Sequence, residues 1–292
     1  EQVIMNAKNL PGYLDFFEGY NAATNSAGSY GAIKVISTLA WGLGYFGMPH
    51  ILVRFMAIED EKKLTLSRRI ASVWVVIAMT VGIFIGVVGL AMTKAGSLEN
   101  LADSETVRIT GLISRHGVLA ALIAGVILAG ILAATMSTSD SQLLTAASGV
   151  SQNILHDFFH IEMDEKKSLF TARLTIIGIS IVSIFMARNP NSSVFGIVSF
   201  AWAGFGASFG AVMLCALFWR RSTLAGALSG MVAGGVMVFV WKYLVRPLGG
   251  ALDIYELLPA FLVSLAVIII VSLLTNKPSD EVLAEFDKAA GK

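Results

Sequence analysis

Cysteine, histidine and charged side chains are all scarce in this 292-residue sequence. The one cysteine, Cys215, lies in an apolar run, so no disulfide can form within the chain and the thiol is expected to pack as a small core residue. The four histidines are scattered, and no apolar run holds a cluster of His, Asp and Glu. This pattern argues against a membrane-embedded enzyme with a metal or an activated nucleophile. The net charge of +1 gives no reason to expect a nucleic-acid partner.

Long apolar runs are abundant instead. Hydrophobic residues make up 55% of the chain and charged residues 14%, against about 25% charged residues in soluble domains. Because several runs exceed about 18 residues, the sequence predicts an all-α polytopic membrane protein. Seven spans are predicted, at residues 35–58, 71–93, 116–150, 169–187, 194–219, 222–245 and 255–275. The third is too long for one crossing, so one of its ends is expected to project into water.

The two ends of the chain differ from the spans between them. Residues 1–34 combine Gly, Pro and Asn with scattered aromatics, which predicts a long loop with at most a short helix. Residues 276–292 predict a short amphipathic helix that begins at the N-cap residue Ser279. The chain starts at Glu1 without an initiator Met or a signal peptide, so we expect it to be part of a longer protein.

Lysine and arginine are distributed unevenly between alternate connections. Of the 21, 13 fall on one side and 8 on the other, and the 13 include a tight cluster from Arg54 to Arg69. By the positive-inside rule, the side with the excess is cytoplasmic. The sequence therefore predicts an inner or plasma membrane protein whose C-terminus is cytoplasmic. The N-terminal end of the chain and the loop 94–115 are expected to lie outside.

The first predicted span is interrupted. Between Trp41 and His50 it contains three glycines and Pro49, which are residues that break helices. In lipid, unpaired backbone groups cost several kcal/mol each, so a broken backbone persists only where it is buried in protein or lines a cavity. The stretch is therefore a candidate binding site. The alternative is a Pro/Gly kink that serves helix packing alone.

The third predicted span has a polar face. Ala134, Ser137, Thr138 and Ser141 share one side of a helix, and hydroxyl and carbonyl oxygens suit Na⁺. The alternative is close helix packing by a stripe of small residues at a spacing of four, which comprises Gly125, Ala129, Ala133, Ser137 and Ser141.

Two charged residues accompany this face. Asp140 is a carboxylate within a span, and such groups usually face a cavity or a partner. Arg173, near the start of the fourth span, either extends to the membrane surface or pairs with a carboxylate such as Asp140. In the fifth span, Ser199–Gly210 alternates small and aromatic residues, which suits either close packing or the lining of a permeation path.

Three stretches together resemble the sodium/solute symporter family, and within it the sodium/proline symporters. They are Trp41-Gly-Leu-Gly-Tyr-Phe-Gly-x-Pro-His up to Met56, Ile131-Leu-Ala-Ala-x-Met-Ser-Thr up to Leu144, and Phe200-Ala-Trp-Ala-Gly-Phe-Gly-Ala. The similarity runs from about residue 36 to residue 276, and the order of the three stretches makes it more specific than any one of them.

The resemblance implies a LeuT-like fold with two inverted repeats of five helices. Residues 35–219 would form the second repeat, core helices 6–10, and 222–275 would add two further transmembrane helices. Residues 1–34 would then be an external loop and 276–292 a cytoplasmic tail. The first repeat is expected to precede this chain.

The resemblance also implies roles for individual residues. The substrate site would contain Trp41, Tyr45 and Pro49; the sodium site Ala134, Ser137 and Thr138; a second sodium position Asp140 and Ser141; and functional arginines would be Arg54 and Arg173. Two positions depart from the family pattern. Met48 replaces a Gln of the sodium/proline symporters, which affects substrate identity, and Asp140 replaces a Ser of some relatives.

The implied function is sodium-coupled symport of L-proline or a similar small amino acid by alternating access, with Na⁺ as the coupling ion and no enzymatic activity. This chain would be the C-terminal part of the transporter, and its partner would be the N-terminal half of the same protein. The alternatives are a symporter-like domain that senses solute, and a family member for another small organic solute. The lack of a kinase-like segment in the tail argues against the sensor.

Overall fold

The computed structural model describes residues 5, 8–15, 17–21, 24–94, 105–188 and 194–289. The described part is helical apart from one antiparallel pair of strands, β1 (Glu18–Asn21) and β2 (Ser26–Ser29), in which Glu18 pairs with Ser29. The sequence prediction of a loop over 1–34 missed this hairpin. Its strands have four residues each and no alternation of apolar and polar residues, so they carry no pattern that predicts a strand.

The helices follow the predicted spans closely. In chain order they are α1 (Ala32–Gly44), α2 (Pro49–Met56), α3 (Lys63–Lys94), α4 (Glu105–Ile113), α5 (Val118–Ser148), α6 (Glu165–Ala187), α7 (Val194–Phe205), α8 (Ala211–Phe218), α9 (Leu224–Val240), α10 (Leu257–Leu274) and α11 (Asp280–Ala289). Wider, π-helical turns extend α5 over Gly149–Phe158, join α7 to α8 over Gly206–Gly210, and extend α9 over Trp241–Val245. Short 3₁₀ turns cover Tyr45–Gly47, Arg246–Leu248 and Gly250–Leu252.

Within the described residues, six helical stretches are long and apolar enough to cross a membrane. They are Lys63–Gly89, Val118–Phe158, Glu165–Ala187, Phe195–Phe218, Leu224–Leu248 and Leu257–Leu274. These correspond to the second through seventh predicted spans, so the prediction of a polytopic α-helical membrane protein is confirmed. The first predicted span appears as the two short helices α1 and α2, neither of which reaches 18 residues.

Other differences from the prediction are local. Helix α4 occupies the end of the predicted loop 94–115, of which 95–104 lie outside the described residues. Helix α5 begins after Gly117, whose positive φ of 99° favours glycine because it has no Cβ. The predicted tail helix is present as α11, and the backbone N–H of Val282 donates to Ser279 Oγ at 3.5 Å.

The chain divides into two compact units. The first comprises Glu1–Tyr30 and Ile58–Ser180, and the second comprises Gly31–Ala57 and Ile181–Lys292. Helix α3 of the first unit, and α6, which the division crosses after Ser180, have no buried side chains within their apolar stretches. The second unit holds a dense core made mostly of small residues, among them Ala203, Ala207 and Ala211, together with Leu257 and Ile268.

Helices α9 and α10 pack closely in the second unit because α9 carries glycines at every fourth position. A Cβ at Gly226 would overlap Ser272 Oγ, and one at Gly230 would overlap the Ile268 side chain. The Ser264 hydroxyl donates to the Gly230 carbonyl at 2.8 Å, a polar contact that the missing Cβ allows. Near the chain end, Arg220 holds α11 through two hydrogen bonds to Asp287 at 3.0 and 2.8 Å.

Candidate functional site

The predicted break in the first span is present in the structure. Helix α1 ends at Gly44, a 3₁₀ turn covers Tyr45–Gly47, and Met48 is extended with φ −82° and ψ 112°. Pro49 then begins α2. The proline ring fixes φ and removes one backbone N–H, which is tolerated in the first turn of a helix but not in its interior. The sequence Gly-Met-Pro therefore ends one helix and starts another.

Two glycines of the break are required by packing. A Cβ on Gly44 would overlap the indole of Trp202, and one on Gly47 would overlap the carbonyl oxygen of Phe205. On the opposing turn, a Cβ on Gly206 would lie 2.7 Å from the Gly44 Cα. Gly42, by contrast, has open space where its Cβ would be. The packing interpretation therefore holds for Gly44 and Gly47, whereas the described residues leave space beside Gly42.

Trp41 is the centre of an aromatic cluster within the second unit. Its ring stacks on Phe195, Trp202 and Tyr255 at centroid distances of 5.4, 5.6 and 5.8 Å. The Trp202 Nε1–H also donates to the Trp41 carbonyl at 3.1 Å, so a side chain of α7 meets the backbone of α1 just before the break. Trp41 is consequently half-buried and held on several sides.

Tyr45 lies one helical turn further on and is more accessible. Its ring meets Trp202 edge to face at 4.8 Å, and 53% of the residue remains exposed. Pro49 is half-buried, whereas Met48, the residue that departs from the family pattern, is only 7% exposed. The structure thus brings Trp41, Tyr45 and Pro49 to one interrupted segment, with Tyr45 as its most exposed ring. Arg54 is exposed in the last turn of α2.

The predicted sodium ligands lie on α5, in the first unit. Ala134, Ser137 and Thr138 are exposed on the same helix. Thr138 Oγ1 donates to the Ala134 carbonyl at 3.3 Å, and Ser141 Oγ donates to the Ser137 carbonyl at 2.9 Å. A hydroxyl that donates its hydrogen in this way keeps its lone pairs, and these remain able to face a cation.

The alternative interpretation, close helix packing by the stripe of small residues, concerns residues that are exposed in the described part of the chain, including Ala129, Ala133 and Ser137. A Cβ on Gly125 or Gly130 would meet nothing within 4 Å. Asp140 and Arg173 are both exposed, and among the described ion pairs none joins them. The described residues also contain no group of three or more His, Cys, Asp or Glu side chains placed to hold a metal ion. The oxygens on this face of α5 are therefore neutral ones, apart from Asp140.

The structure adds a charged cluster that the sequence analysis did not single out. Glu256, just before α10, is 1% exposed and accepts a hydrogen bond from Arg246 Nη1 at 2.9 Å. Lys242 Nζ lies 3.8 Å from the same carboxylate, and Arg246 Nε donates to Asp253 at 2.8 Å. A buried carboxylate requires such partners, because desolvation of an unpaired charge costs several kcal/mol. In the sequence, the signal for this cluster was the acidic Glu256 at the start of the span predicted at 255–275, shortly after the basic residues Lys242 and Arg246.

Comparison with known proteins agrees with this architecture. The model of the sodium:solute symporter family matches residues 4–234. A sodium/proline symporter of Haemophilus influenzae is 38% identical over 88% of this chain and 51% of its own length. The high-affinity proline transporter PutP of Bacillus subtilis is 40% identical over 87% of this chain and 52% of its own length. A sodium/proline symporter of Staphylococcus aureus is 40% identical over 88% and 50%, respectively.

The chain therefore spans about half the length of the curated relatives it matches. No solved structure matches it. The family match covers most of the chain, from the hairpin through the interrupted segment and α5 into α9, and the relatives extend it beyond that point. On these grounds the chain belongs to the sodium:solute symporter family.

Proposed function

We propose that this chain is the C-terminal part of a sodium-coupled symporter for L-proline or a similar small amino acid. The observation that carries the proposal is the identity of 38–40% to proteins named as proline symporters or transporters, over most of this chain. The interrupted segment with its exposed Tyr45 supplies a place for the solute in such a protein. Transport then takes place by alternating access across the cell membrane, with no chemical step.

The fold we propose is LeuT-like. Residues 35–219 form the second inverted repeat, 222–275 add two helices, 1–34 lie outside and 276–292 are cytoplasmic. The support for this arrangement is the interrupted first helix of the repeat, because half-helix ends at a break offer free backbone groups to a solute. The support for the orientation is the excess of Lys and Arg on one side of the membrane.

In the proposed substrate site, Tyr45 covers the apolar ring of proline and Trp41 supports it from behind. This division follows from exposure, because Tyr45 is half exposed whereas stacking on three rings already occupies Trp41. Pro49 ends the site by starting α2. The open side of Gly42 leaves room for the polar end of the solute beside the backbone. Met48, being buried, acts on substrate choice only through the shape of the turn.

The proposed sodium site uses the carbonyl of Ala134 and the hydroxyls of Ser137 and Thr138. These neutral oxygens give one side of a cage for a hard monovalent ion, and the remaining ligands come from a segment outside this chain. Asp140 and Ser141 are proposed as a second sodium position. Arg54 and Arg173, both exposed, are proposed as cytoplasmic-side residues that affect transport.

Sodium drives uptake through coupling between the two sites. If bound Na⁺ tightens proline binding by some factor, proline tightens Na⁺ binding by the same factor. One Na⁺ moving through 100 mV supplies about 2.3 kcal/mol in addition to its concentration gradient. Release follows when Na⁺ leaves into a cytoplasm that is low in sodium.

The test is uptake of radiolabelled L-proline, with and without Na⁺, by cells that express the whole gene product. Ser137→Ala and Thr138→Ala are expected to raise the Na⁺ concentration for half-maximal uptake by about tenfold or more, which is the effect of losing about 1.4 kcal/mol of binding. Thr80→Ala is the matched control, because Thr80 is also exposed and back-bonded, to the Val76 carbonyl at 2.8 Å, but lies on α3 and not on α5.

Three outcomes would contradict the proposal. Uptake that does not depend on Na⁺ would exclude sodium coupling. Sodium-dependent uptake of a solute that is not a small amino acid, with no uptake of proline, would exclude the proposed substrate class. An equal effect of Thr80→Ala and Thr138→Ala on the sodium requirement would exclude the sodium ligands while leaving the transport activity intact.

A further inference from the structure

The connection between α9 and α10 ends at a buried carboxylate with two cationic partners. Glu256 is 1% exposed and meets Arg246 at 2.9 Å and Lys242 at 3.8 Å. Lys242 Nζ also lies 3.8 Å from the centroid of the Phe200 ring, so the cation bridges α7 and the start of α10. In addition, Trp241 Nε1 donates to the Ile254 carbonyl at 3.2 Å. These contacts fix the backbone immediately before α10.

Tyr255, the residue before Glu256, makes three contacts with the elements of the proposed substrate site. Its backbone N–H donates to Ser37 Oγ on α1 at 3.0 Å, and its hydroxyl donates to the Ser199 carbonyl on α7 at 2.6 Å. Its ring stacks on Trp41 at 5.8 Å with an interplanar angle of 14°. Tyr255 is 6% exposed, so all of these contacts are protected from water.

Two of these contacts, those with Ser37 and with Trp41, are made to the same face of α1. The two residues are four positions apart and therefore share one side of that helix. Tyr255 thus holds both the backbone and the large side chain of the turn of α1 that leads into the break. Its hydroxyl also contacts α7, the helix that carries Trp202.

We propose that Tyr255 is a positioning residue of the substrate site, and that the buried Glu256 with Arg246 and Lys242 holds it in place. Tyr255 does not contact the solute. It sets the plane of Trp41, which supports the ring of Tyr45 through Trp202. This inference rests on the proposed function, because it assigns a role within the proposed site.

The principal experiment compares Tyr255→Leu with Tyr255→Phe in sodium-driven proline uptake by cells that express the whole gene product. Loss of the ring is expected to raise the apparent KM for proline about 2- to 10-fold, the range that corresponds to one aromatic pair. At saturating proline, the Na⁺ requirement is expected to change less than twofold, about the limit of the measurement. Tyr255→Phe keeps the ring and is expected to restore the KM to within about twofold of the parent.

The matched control is Trp219→Leu. Trp219 is an aromatic residue that packs against the core of the same unit, and none of the described ring pairs joins it to Trp41. Its replacement is expected to leave the proline KM unchanged. An equal rise in KM for Trp219→Leu and Tyr255→Leu would overturn the inference, because the effect would then report general loosening of the unit. Failure of Tyr255→Phe to restore the KM would overturn it as well.

A second measurement separates this inference from the proposed function. Thermal unfolding of the purified protein in detergent is compared for Trp41→Leu, Tyr255→Leu and the double variant. If the two rings are energetically coupled, the melting temperature of the double variant falls by about 1–5 °C less than the sum of the two single decreases. Additive losses would overturn the positioning role even in a protein that transports proline. Coupled losses in a protein without sodium-driven proline uptake would support the contact and reject the proposed function.

Discussion

At the scale of single residues, the two aromatic side chains predicted for the substrate site differ in what surrounds them. Trp41 stacks on three rings and receives a hydrogen bond at its carbonyl, whereas Tyr45 has one edge contact and is 53% exposed. Replacing Trp41 therefore removes packing as well as any contact with the solute. Tyr45 is the residue whose replacement isolates the contact with the solute.

We expect Tyr45→Ala to raise the apparent KM for proline by about fivefold, the effect of losing about 1 kcal/mol of ring contact, with little change in thermal stability. Trp41→Ala is expected to cost about 2–4 kcal/mol in the free energy of unfolding, because a large ring leaves a packed cluster. Uptake kinetics and thermal unfolding of both variants check this difference. A normal KM in a well-folded Tyr45→Ala protein would remove Tyr45 from the site.

The hydroxyl face of α5 shows a limit of the sequence pattern at the same scale. The spacing of Ala134, Ser137, Thr138 and Ser141 predicted one face, and the structure keeps them on one regular helix. The hydroxyls of Thr138 and Ser141 already donate to the helix's own carbonyls, as Ser and Thr commonly do. Their role as sodium ligands stays a prediction that the uptake experiment tests.

At the scale of elements, glycine spacing explains why α9 and α10 approach closely. The pattern Gly226-x-x-x-Gly230-x-x-x-Gly234 gives α9 a face without side chains, and α10 and the turn at Ala207 fill it. Within a bilayer, such small faces stabilise helix pairs by dispersion contacts and close polar contacts, because burial of apolar surface gives no advantage over lipid.

Gly230→Ala is expected to lower the free energy of unfolding by about 1–3 kcal/mol, since its methyl group would overlap Ile268 and lie 2.9 Å from the Ser264 carbonyl. Gly235→Ala, on the same helix, meets only the movable Ser208 hydroxyl at 3.0 Å and is expected to be near neutral. Thermal unfolding of the two variants in the same detergent measures this difference in stability. Equal melting temperatures would show that the glycine face does not limit the packing.

At the scale of the whole molecule, the predicted substrate and sodium residues belong to different compact units. Trp41, Tyr45 and Pro49 lie in the unit that contains Gly31–Ala57, and the α5 residues lie in the unit that contains Ile58–Ser180.

The orientation of the chain in the membrane is testable at this scale. In the whole gene product, with Cys215 and every other cysteine replaced, Ser26→Cys in the hairpin is expected to react with a membrane-impermeant maleimide in intact cells. Lys62→Cys is expected to react only after the cells are made permeable, because the Arg54–Arg69 cluster predicts a cytoplasmic position. Both residues are exposed, so accessibility is decided by the membrane. The reverse labelling pattern would invert the proposed orientation.

The sequence by itself determined the positions of six long helices, a break between Trp41 and His50, and the hydroxyl face of α5. These features depend on hydrophobicity, helix periodicity and proline geometry, which act between residues close in the chain. The hairpin and α4 escaped prediction because their short segments carry no strong pattern.

Only the tertiary structure decided which parts of the break are used for packing and which remain open. Trp202 lies 161 positions from Trp41, and Tyr255 lies 218 positions from Ser37, so no local pattern reveals these partners. The same holds for Glu256, whose burial is tolerable only because the α9–α10 connection returns Arg246 and Lys242 to it. Glycines that look alike in the sequence differ for this reason: Gly44 and Gly47 meet a neighbouring helix, and Gly42 does not.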